Sequence, residues 1–319
     1  MDDDKLRIGT DCSGIEAPVQ ALIQLGIQFR HVFSSEIDKF CIKSIKSNYS
    51  PEIIFGDPEG PFPDGDITKR DLKHVPDIDL YVCGFPCQPF STIGQRKGFD
   101  DRRGNVFWSC LKLIEFKRPK YFILENVKGL LSHDKQHKRD RFGRTWDTIW
   151  NALSGLEKFG YVVKWRVLNT RDYGIPQNRE RVFILGVHGR DFEWPKKIEM
   201  DCLKNYIDVD DDSHNEIPDS IIQSKLFDNI PKKSIFINIS MKNNKFIKSE
   251  TICCCLTTTQ HYWCVPKHRY MNNNEKLLLQ GFLKGFKQVV SNTQLKKQIG
   301  NSMSVNVLKC IIKQSFNMN

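Results

Sequence analysis

The sequence predicts an α/β fold: a doubly wound, mostly parallel sheet joined to a second, small, irregular lobe that contains some β-structure. Three observations predict it. Over the first 190 residues, short wholly apolar runs alternate with helix-like stretches. Strands apolar on both faces need cover on both faces, which a parallel sheet between two helix layers supplies. From about residue 191 the alternation stops: residues 199–219 hold eight acids against one base, Lys204, and residues 220–250 hold six lysines against Asp228 and Glu250. Beyond residue 265, "EKLLLQGF" and "SVNVLKCIIKQSF" return to helical periodicity.

Taken in order, "LRIGTDCSG" leads into "IEAPVQALIQLG" and "HVFSSEID" into "KFCIKSIKSNY". "DLYVCGFPC" is followed by "NVFWSCLKLIEF", and "YFILENV" by "TWDTIWNALSGLEKFG". "VVKWRVLN" and "RVFILGV" close the series. Cys41, Cys83, Cys110 and Cys310 lie in apolar runs and read as core. Trp146 and Trp150, four residues apart, read as one packed helix face. In the lobe, "SIFINIS" is β-prone and the acidic stretch reads as a solvated loop. The run "ICCCL" is not a metal site on this reading, because consecutive strand residues alternate faces and cannot close a tetrahedron.

The chain has 319 residues, 39% of them hydrophobic, enough for a substantial core. The start, "MDDDKLRIGTDC", is acidic and lacks a long apolar stretch, so neither a signal peptide nor a membrane span is expected, and the protein reads as intracellular. Eleven cysteines without framework spacing fit a reducing compartment. A net charge of +10 favours a polyanionic partner, with a merely solvated basic surface as the alternative.

Ligands of doubly wound sheets bind at the carboxyl edge. There the first strand runs into "DCSGIEAP", where Gly14 allows a close turn before a helix. The G-x-G-x-x-G pattern of a dinucleotide site is absent. Asp11 and Glu16 instead place carboxylates where a phosphate would go, which suits a ligand without phosphate and with positive charge, such as S-adenosylmethionine. Glu36 lies 22 residues after Gly14, about the spacing at which an acid holds ribose hydroxyls. In "GDI", Asp66 is placed for an adenine amino group and Ile67 for its ring.

"GFPCQPFST" displays Cys87 at a strand tip among Gly, Pro and polar residues. Glu125 ends "YFILENV" as Cys87 follows "DLYVC", so a parallel sheet brings both to one rim. A thiolate adding to C6 of cytosine makes C5 enamine-like, and an acid at N3 absorbs the developing charge. "PQNRERVFIL" offers Gln177, Arg179 and Arg181 at alternate positions, hence on one strand face. The segment "HDKQHKRDRFGR", with Lys135, Lys138, Arg139, Arg141 and Arg144, reads equally as a solvated loop or a phosphate-contacting one.

With these residues in hand, the chain resembles the cytosine-C5 methyltransferases. The likeness runs in order through "DCSGIEA", "SSEID", "GDI", "GFPCQPFS", "RGNVF", "ENV", "QNRERV" and "IGNSMSVNV". It implies a Rossmann-like catalytic domain with a small recognition lobe, S-adenosylmethionine as cofactor, and base flipping from duplex DNA. Carried over, Cys87 is the nucleophile, Glu125 the N3 partner, and Arg179 and Arg181 position the target nucleotide. Cofactor contacts fall on Cys12, Gly14, Ile15, Glu36, Ile37, Asp66, Ile67, Gly84, Pro86, Val106, Asn301 and Ser302. The last two imply that residues 266–319 return to complete the catalytic domain, leaving 191–265 as the lobe. The first block departs from the family's usual phenylalanine and paired glycines, with Cys12, Glu16 and Ala17 instead.

Nucleic-acid contacts are expected from Gln88, Ser91, Arg96, Lys97 and Gln177, and in the lobe from Thr257, Thr258, Gln260, His261 and Tyr262, with Trp263 as a stacking face. The partner is double-stranded DNA in preference to RNA, since the Cys-Phe-Thr signature of the tRNA-modifying members is missing. The protein is expected to act as a monomer off the membrane. A tRNA methyltransferase and a catalytically silent nucleic-acid-binding relative are the alternatives. A lobe of about 75 residues can place only a few base contacts, at about 1 to 3 kcal/mol each, which implies a site of roughly two to four base pairs.

Overall fold

The computed structural model describes residues 5–86, 106–213, 233–239 and 250–318. Cys87, Gln88, Ser91, Arg96 and Lys97 lie outside the described residues. In chain order the first elements are β1 (Leu6–Asp11), α1 (Ala17–Leu25), β2 (Phe29–Ser35), α2 (Lys39–Asn48), β3 (Ile53–Phe55), β4 (Leu80–Gly84), α3 (Val106–Lys117), β5 (Tyr121–Val127), α4 (Arg144–Ser154) and β6 (Tyr161–Asn169). They are followed by β7 (Gln177–Asn178), β8 (Glu180–His188), β9 (Phe236–Asn238), β10 (Cys253–Cys254), β11 (Tyr262–Cys264), β12 (Arg269–Tyr270), α5 (Asn273–Leu279), α6 (Asn292–Asn301) and α7 (Val305–Cys310).

The seven-stranded sheet has the order β3-β2-β1-β4-β5-β8-β6. The pairs β1–β2, β2–β3, β1–β4 and β4–β5 are parallel, and β8 runs antiparallel to β5. The central strands are buried along their middles, as their continuous apolar runs require: β4 and β5 carry Tyr81, Cys83, Phe122 and Leu124, none of them exposed, while Val127 at the tip of β5 reaches solvent. These side chains join Phe33, Phe107 and Trp146 in the main core, with Trp146 and Trp150 stacked at 6.3 Å on α4. Cys41, Cys83, Cys110 and Cys310 are all buried. No described helix is long and apolar enough to cross a membrane.

The chain forms two compact units. One comprises Met1–Leu168, Glu180–Pro195 and Leu308–Asn319; the other comprises Asn169–Arg179 and Lys196–Val307. The boundaries therefore differ from those read in the sequence. The segment that returns to the sheet unit starts near Leu308 rather than at 266. There Phe316 stacks on Tyr121 at 4.6 Å, its carbonyl accepts from Arg190 Nη2 at 2.7 Å, and Lys309 Nζ donates to Gln24 Oε1 at 3.0 Å.

The second unit is built on the antiparallel sheet β12-β11-β9, the two-residue parallel pair β7–β10, and α5 and α6. Helix α5 starts on a capping box: Asn272 Oδ1 accepts the Glu275 amide at 2.8 Å and Glu275 Oε2 accepts the Asn272 amide at 2.9 Å. The acidic stretch is only partly the solvated loop expected. Asp208 and Asp211 accept from Asn272 Nδ2 at 3.1 and 2.8 Å and so hold the start of α5.

Candidate active site

The strand order reverses between β1 and β4, which makes the crevice beyond their carboxyl ends the place for a ligand. The β1–α1 turn is built there from left-handed backbone at Cys12 (φ 50°), Gly14 (φ 57°) and Glu16 (φ 59°). The Gly14 amide donates to Glu36 Oε2 at 2.9 Å, and Glu36 Oε1 accepts the Ile37 and Asp38 amides at 2.8 and 3.0 Å. Burial pushes the Glu36 carboxyl up from its ordinary pKa, against the pull of these three amides. Gly56 (φ 103°) and Gly65 press against the Glu36 carbonyl so closely that a Cβ at either would collide with it. Beside this fixed acid, Ile37 is 77% exposed, an apolar side chain presented at a strand tip.

Two carboxylates expected to face the ligand do not. Asp11 is buried and takes a bidentate pair from Arg70 at 2.7 and 2.8 Å and the Tyr81 hydroxyl at 2.7 Å. Glu16 is fully buried; its Oε1 accepts from Thr10 Oγ1 at 2.7 Å and Ser34 Oγ at 2.6 Å and lies 3.4 Å from His31 Nε2. A residue 59 positions away neutralises the first, and the left-handed backbone at Glu16 turns the second inward between β1 and β2. Ile15 and Ile67 are also buried, Ile67 within the main core rather than set out as a ring cover. Asp66 is partly exposed: burial raises its pKa, but bonds from the Thr68 hydroxyl and amide and from Lys69 outweigh that and leave it below the usual range.

At Cys12 the hydrogen bond with Cys83 lowers the thiol pKa, while burial and the nearby Cys110, Asp11 and Glu36 together leave it raised. Its neighbours are closely set, with Cys110 Sγ donating to Cys83 Sγ at 3.4 Å. Cys83 and Cys110 are fully buried core thiols, and the half-buried Cys12 packs against the same core.

One strand over, Gly84 pairs with Glu125, so the tip of β4 and the acid of β5 stand side by side. Cys87 follows Gly84 by three residues. Asn126 Nδ2 donates to the Phe85 carbonyl at 2.7 Å, tying β5 to the chain two residues before Cys87. Asn126 was not singled out from the sequence; the signal available was its place beside Glu125. Pro86 is exposed, Gly84 half-buried, and Val106 half-buried at the start of α3. Arg181 enters from β8, where it pairs with Val127, and its Nε lies 3.2 Å from Glu125 Oε1. An arginine, a carboxyl group and the root of the Cys87 segment therefore share one rim. The exposed cations Lys135, Lys138, Arg139 and Arg141 lie in the loop between β5 and α4, while Arg144 is paired with Asp134 at 2.9 Å.

Gln177 and Arg179 do not join Arg181. Both lie in the second unit and both are buried. Gln177 Nε2 donates to the Leu279 carbonyl and Gln280 Oε1, each at 2.7 Å. Arg179 donates to the carbonyls of Leu256, Gly300 and Ser302 at 2.9, 3.1 and 2.7 Å. The single-face expectation fails because β7 ends at Asn178 and β8 begins at Glu180, in different sheets.

Tyr262 and Trp263 are likewise core residues of β11, at 1% and 0% exposure, and the Tyr262 hydroxyl donates to the Cys255 carbonyl at 2.6 Å. Neither can contact a base. Thr257, Thr258 and Gln260 are half-buried and His261 is exposed. Asn301 is exposed and Ser302 buried, and both belong to the second unit.

A model of the family described as C-5 cytosine-specific DNA methylase matches residues 11–317. The chain is 36% identical over 310 residues to the type II methyltransferase M1.ScrFI of Lactococcus lactis subsp. cremoris, covering 89% of this chain and 72% of that protein. It is 36% identical over 305 residues to M.HaeII of Haemophilus aegyptius, covering 92% and 89%. Among solved structures, the S. pombe Dnmt2 methyltransferase superposes with a TM-score of 0.67 at 18% identity, covering 97% of each chain. The Entamoeba histolytica methyltransferase EhMeth gives 0.67 at 19% identity over 98% of each. These two likenesses establish the fold, and the sequence matches establish the lineage: the chain belongs to the C-5 cytosine-specific DNA methylase family and is a DNA cytosine-C5 methyltransferase.

Proposed function

We propose that this enzyme methylates cytosine within a short site of roughly two to four base pairs in duplex DNA, through an adduct between Cys87 and C6, using S-adenosylmethionine. The observation that carries the reading is the rim where Gly84, three residues before Cys87, pairs with Glu125, and Glu125 in turn meets Arg181 at 3.2 Å. In this mechanism the Cys87 thiolate adds to C6 of an extruded cytosine. Glu125 holds the proton at N3 as charge moves into the ring, and Arg181 steadies Glu125 and the target nucleotide. Loss of the C5 proton to a base then expels the thiolate and restores the aromatic ring.

The cofactor reading is supported by the residues present. Glu36 is fixed by three amides as a carboxyl that would accept ribose hydroxyls, Ile37 offers an exposed apolar face, and the turn at Gly14 has no phosphate-binding pattern. Glu36, Ile37, Asp66 and the Gly14 turn would hold the nucleoside. When bound, S-adenosylmethionine supplies an electrophilic methyl group for C5. Base reading falls to the second unit, where Thr257, Thr258, Gln260 and His261 remain accessible once Gln177, Tyr262 and Trp263 are assigned to the core.

Transfer of a tritiated methyl group to duplex DNA and to total tRNA, side by side, tests the reading. Labelled DNA, lost with Cys87→Ala together with trapping on 5-fluorocytosine duplexes, is the expected result. Labelling of tRNA alone, or trapping that survives the substitution, overturns it. Bisulfite sequencing of a plasmid from an expressing, otherwise unmethylated host reads the site, and a strict site of six or more base pairs refutes the predicted length.

A further inference from the structure

The second unit contains an open, polar cavity of about 540 Å³ whose lining includes Lys276 of α5, Lys296 of α6 and His261 of the segment before β11. We propose that this cavity is an anion site that takes a phosphodiester group of the DNA backbone, held by Lys276 and Lys296. The inference deepens the DNA reading given above and rests on it.

Among the described residues, two ammonium groups line this cavity without a carboxylate bonded to either. The neighbouring acids Glu275, Asp208 and Asp211 take their hydrogen bonds from other donors. Glu275 gives both oxygens to Arg269, at 2.8 and 3.0 Å, and also accepts the amides of Asn272 and Asp208. Asp208 accepts from Asn272 and Asn274, and Asp211 from Asn272 and the Ser213 amide. These bonds hold the Asp211 carboxyl at a pKa of about 2, so it is a fixed charge with its own donors.

The lysines have no such partner. Among the described residues neither Lys276 nor Lys296 forms an ion pair, and Lys276 Nζ has only the neutral Asn273 Oδ1 at 3.4 Å. Lys276 is nevertheless only 9% exposed. A buried ammonium facing a second ammonium is costly unless an anion joins them. Burial first, and then the Lys296 charge, pull Lys276 down to a pKa of about 8. His261 is depressed by burial and by both lysines, so all three groups feel one another across the same space. An arriving phosphate relieves each of these repulsions at once.

A peptide carboxylate would satisfy the same cations, but the substrate of this family presents phosphates at close intervals, and the cavity opens to solvent. Such a contact fixes the register of the unit on the duplex without reading sequence.

The test is the salt dependence of duplex binding by fluorescence anisotropy, for wild type, Lys296→Gln and the double variant Lys276→Gln/Lys296→Gln. Each released phosphate contact lowers the slope of log K against log salt by about 1. The double variant is expected to lose about that much, equally on cognate and non-cognate duplexes. Lys296→Gln, at a half-buried position, keeps the test informative if the double variant melts early, and Lys296→Arg should restore the slope. An unchanged slope, or a loss confined to the cognate duplex, overturns the site. If inorganic phosphate raises the melting temperature of wild type but not of the double variant while the slope is unchanged, the cavity takes a free ion and the DNA assignment is wrong. Methylation by wild type, run in parallel, separates the two claims: intact methylation with an unchanged slope refutes the cavity alone, whereas neither binding nor methylation of DNA refutes both.

Discussion

Glu36 Oε2 accepts the amide of Gly14 at 2.9 Å, so the acid ending the second strand and the turn ending the first form a single rigid unit. A hydroxyl group bonded to Glu36 favours its ionised form, whereas burial has raised its pKa in the free protein. Affinity for S-adenosylmethionine should therefore weaken as pH falls through the raised pKa, in a window opening above the ordinary carboxyl value. Glu36→Gln should flatten that dependence and raise KM for the cofactor by about tenfold or more. Calorimetric titration between neutral and mildly acidic pH checks both. A pH-independent wild-type affinity contradicts the role.

Glu125→Gln should slow methyl transfer by roughly two to four orders of magnitude, the range for losing a positioned acid. Asn126→Ala should lower kcat while leaving KM for the cofactor near wild type, because it frees the Phe85 carbonyl rather than the Glu36 side. Single-turnover assays on one duplex separate chemistry from binding. An Asn126→Ala enzyme with wild-type kcat would show that the tie to Phe85 is ornamental.

Arg179→Ala should damage the fold rather than the chemistry. It strips three carbonyls, those of Leu256, Gly300 and Ser302, of a charged donor inside the second unit. Charge-assisted bonds of this kind are worth about 1.5 to 3 kcal/mol each, and Arg179→Lys cannot span all three. A lowered midpoint in urea for both variants is expected. Native stability with lost activity would instead return Arg179 to the catalytic residues.

Lys276→Met should stabilise the protein, with a definite pH signature. The folded-state pKa of about 8 lies below the ordinary 10.5, so the unfolded chain binds more protons between those values and wild-type stability rises across that window. The advantage of the variant, about 3 kcal/mol at most, is then full below pH 8 and vanishes toward 10.5. Melting curves at pH 7 and pH 10 read it. An equal advantage at both would mean that packing, not charge, is responsible.

The catalytic sheet was legible because its strands are apolar throughout and its rim residues are punctuated by Gly and Pro. Glu125 and Glu36 could be placed by strand-end logic alone. Asp11 could not, because the arginine that neutralises it arrives from Arg70, beyond two further strands. Glu16 failed for a local reason: a non-glycine residue in left-handed backbone reverses where its side chain points, and no periodicity announces this. Gln177 and Arg179 misled because alternation holds only within one strand, and the chain changes sheets between 178 and 180. Trp263 shows the opposite ambiguity, since an aromatic following a polar run reads alike as a stacking face and as the centre of a three-stranded core.

The chain leaves the sheet unit after Leu168, returns at Glu180, leaves again after Pro195 and comes back at Leu308. Residues 169–179 thus belong with a body that is otherwise encoded by 196–307, and Gln177 and Arg179 are its internal ties. A chimaera that exchanges only the long downstream stretch with that of a relative would separate those two side chains from the carbonyls they were shaped to meet. Moving this body intact between such enzymes calls for two stretches of coding sequence, one of them only eleven codons long.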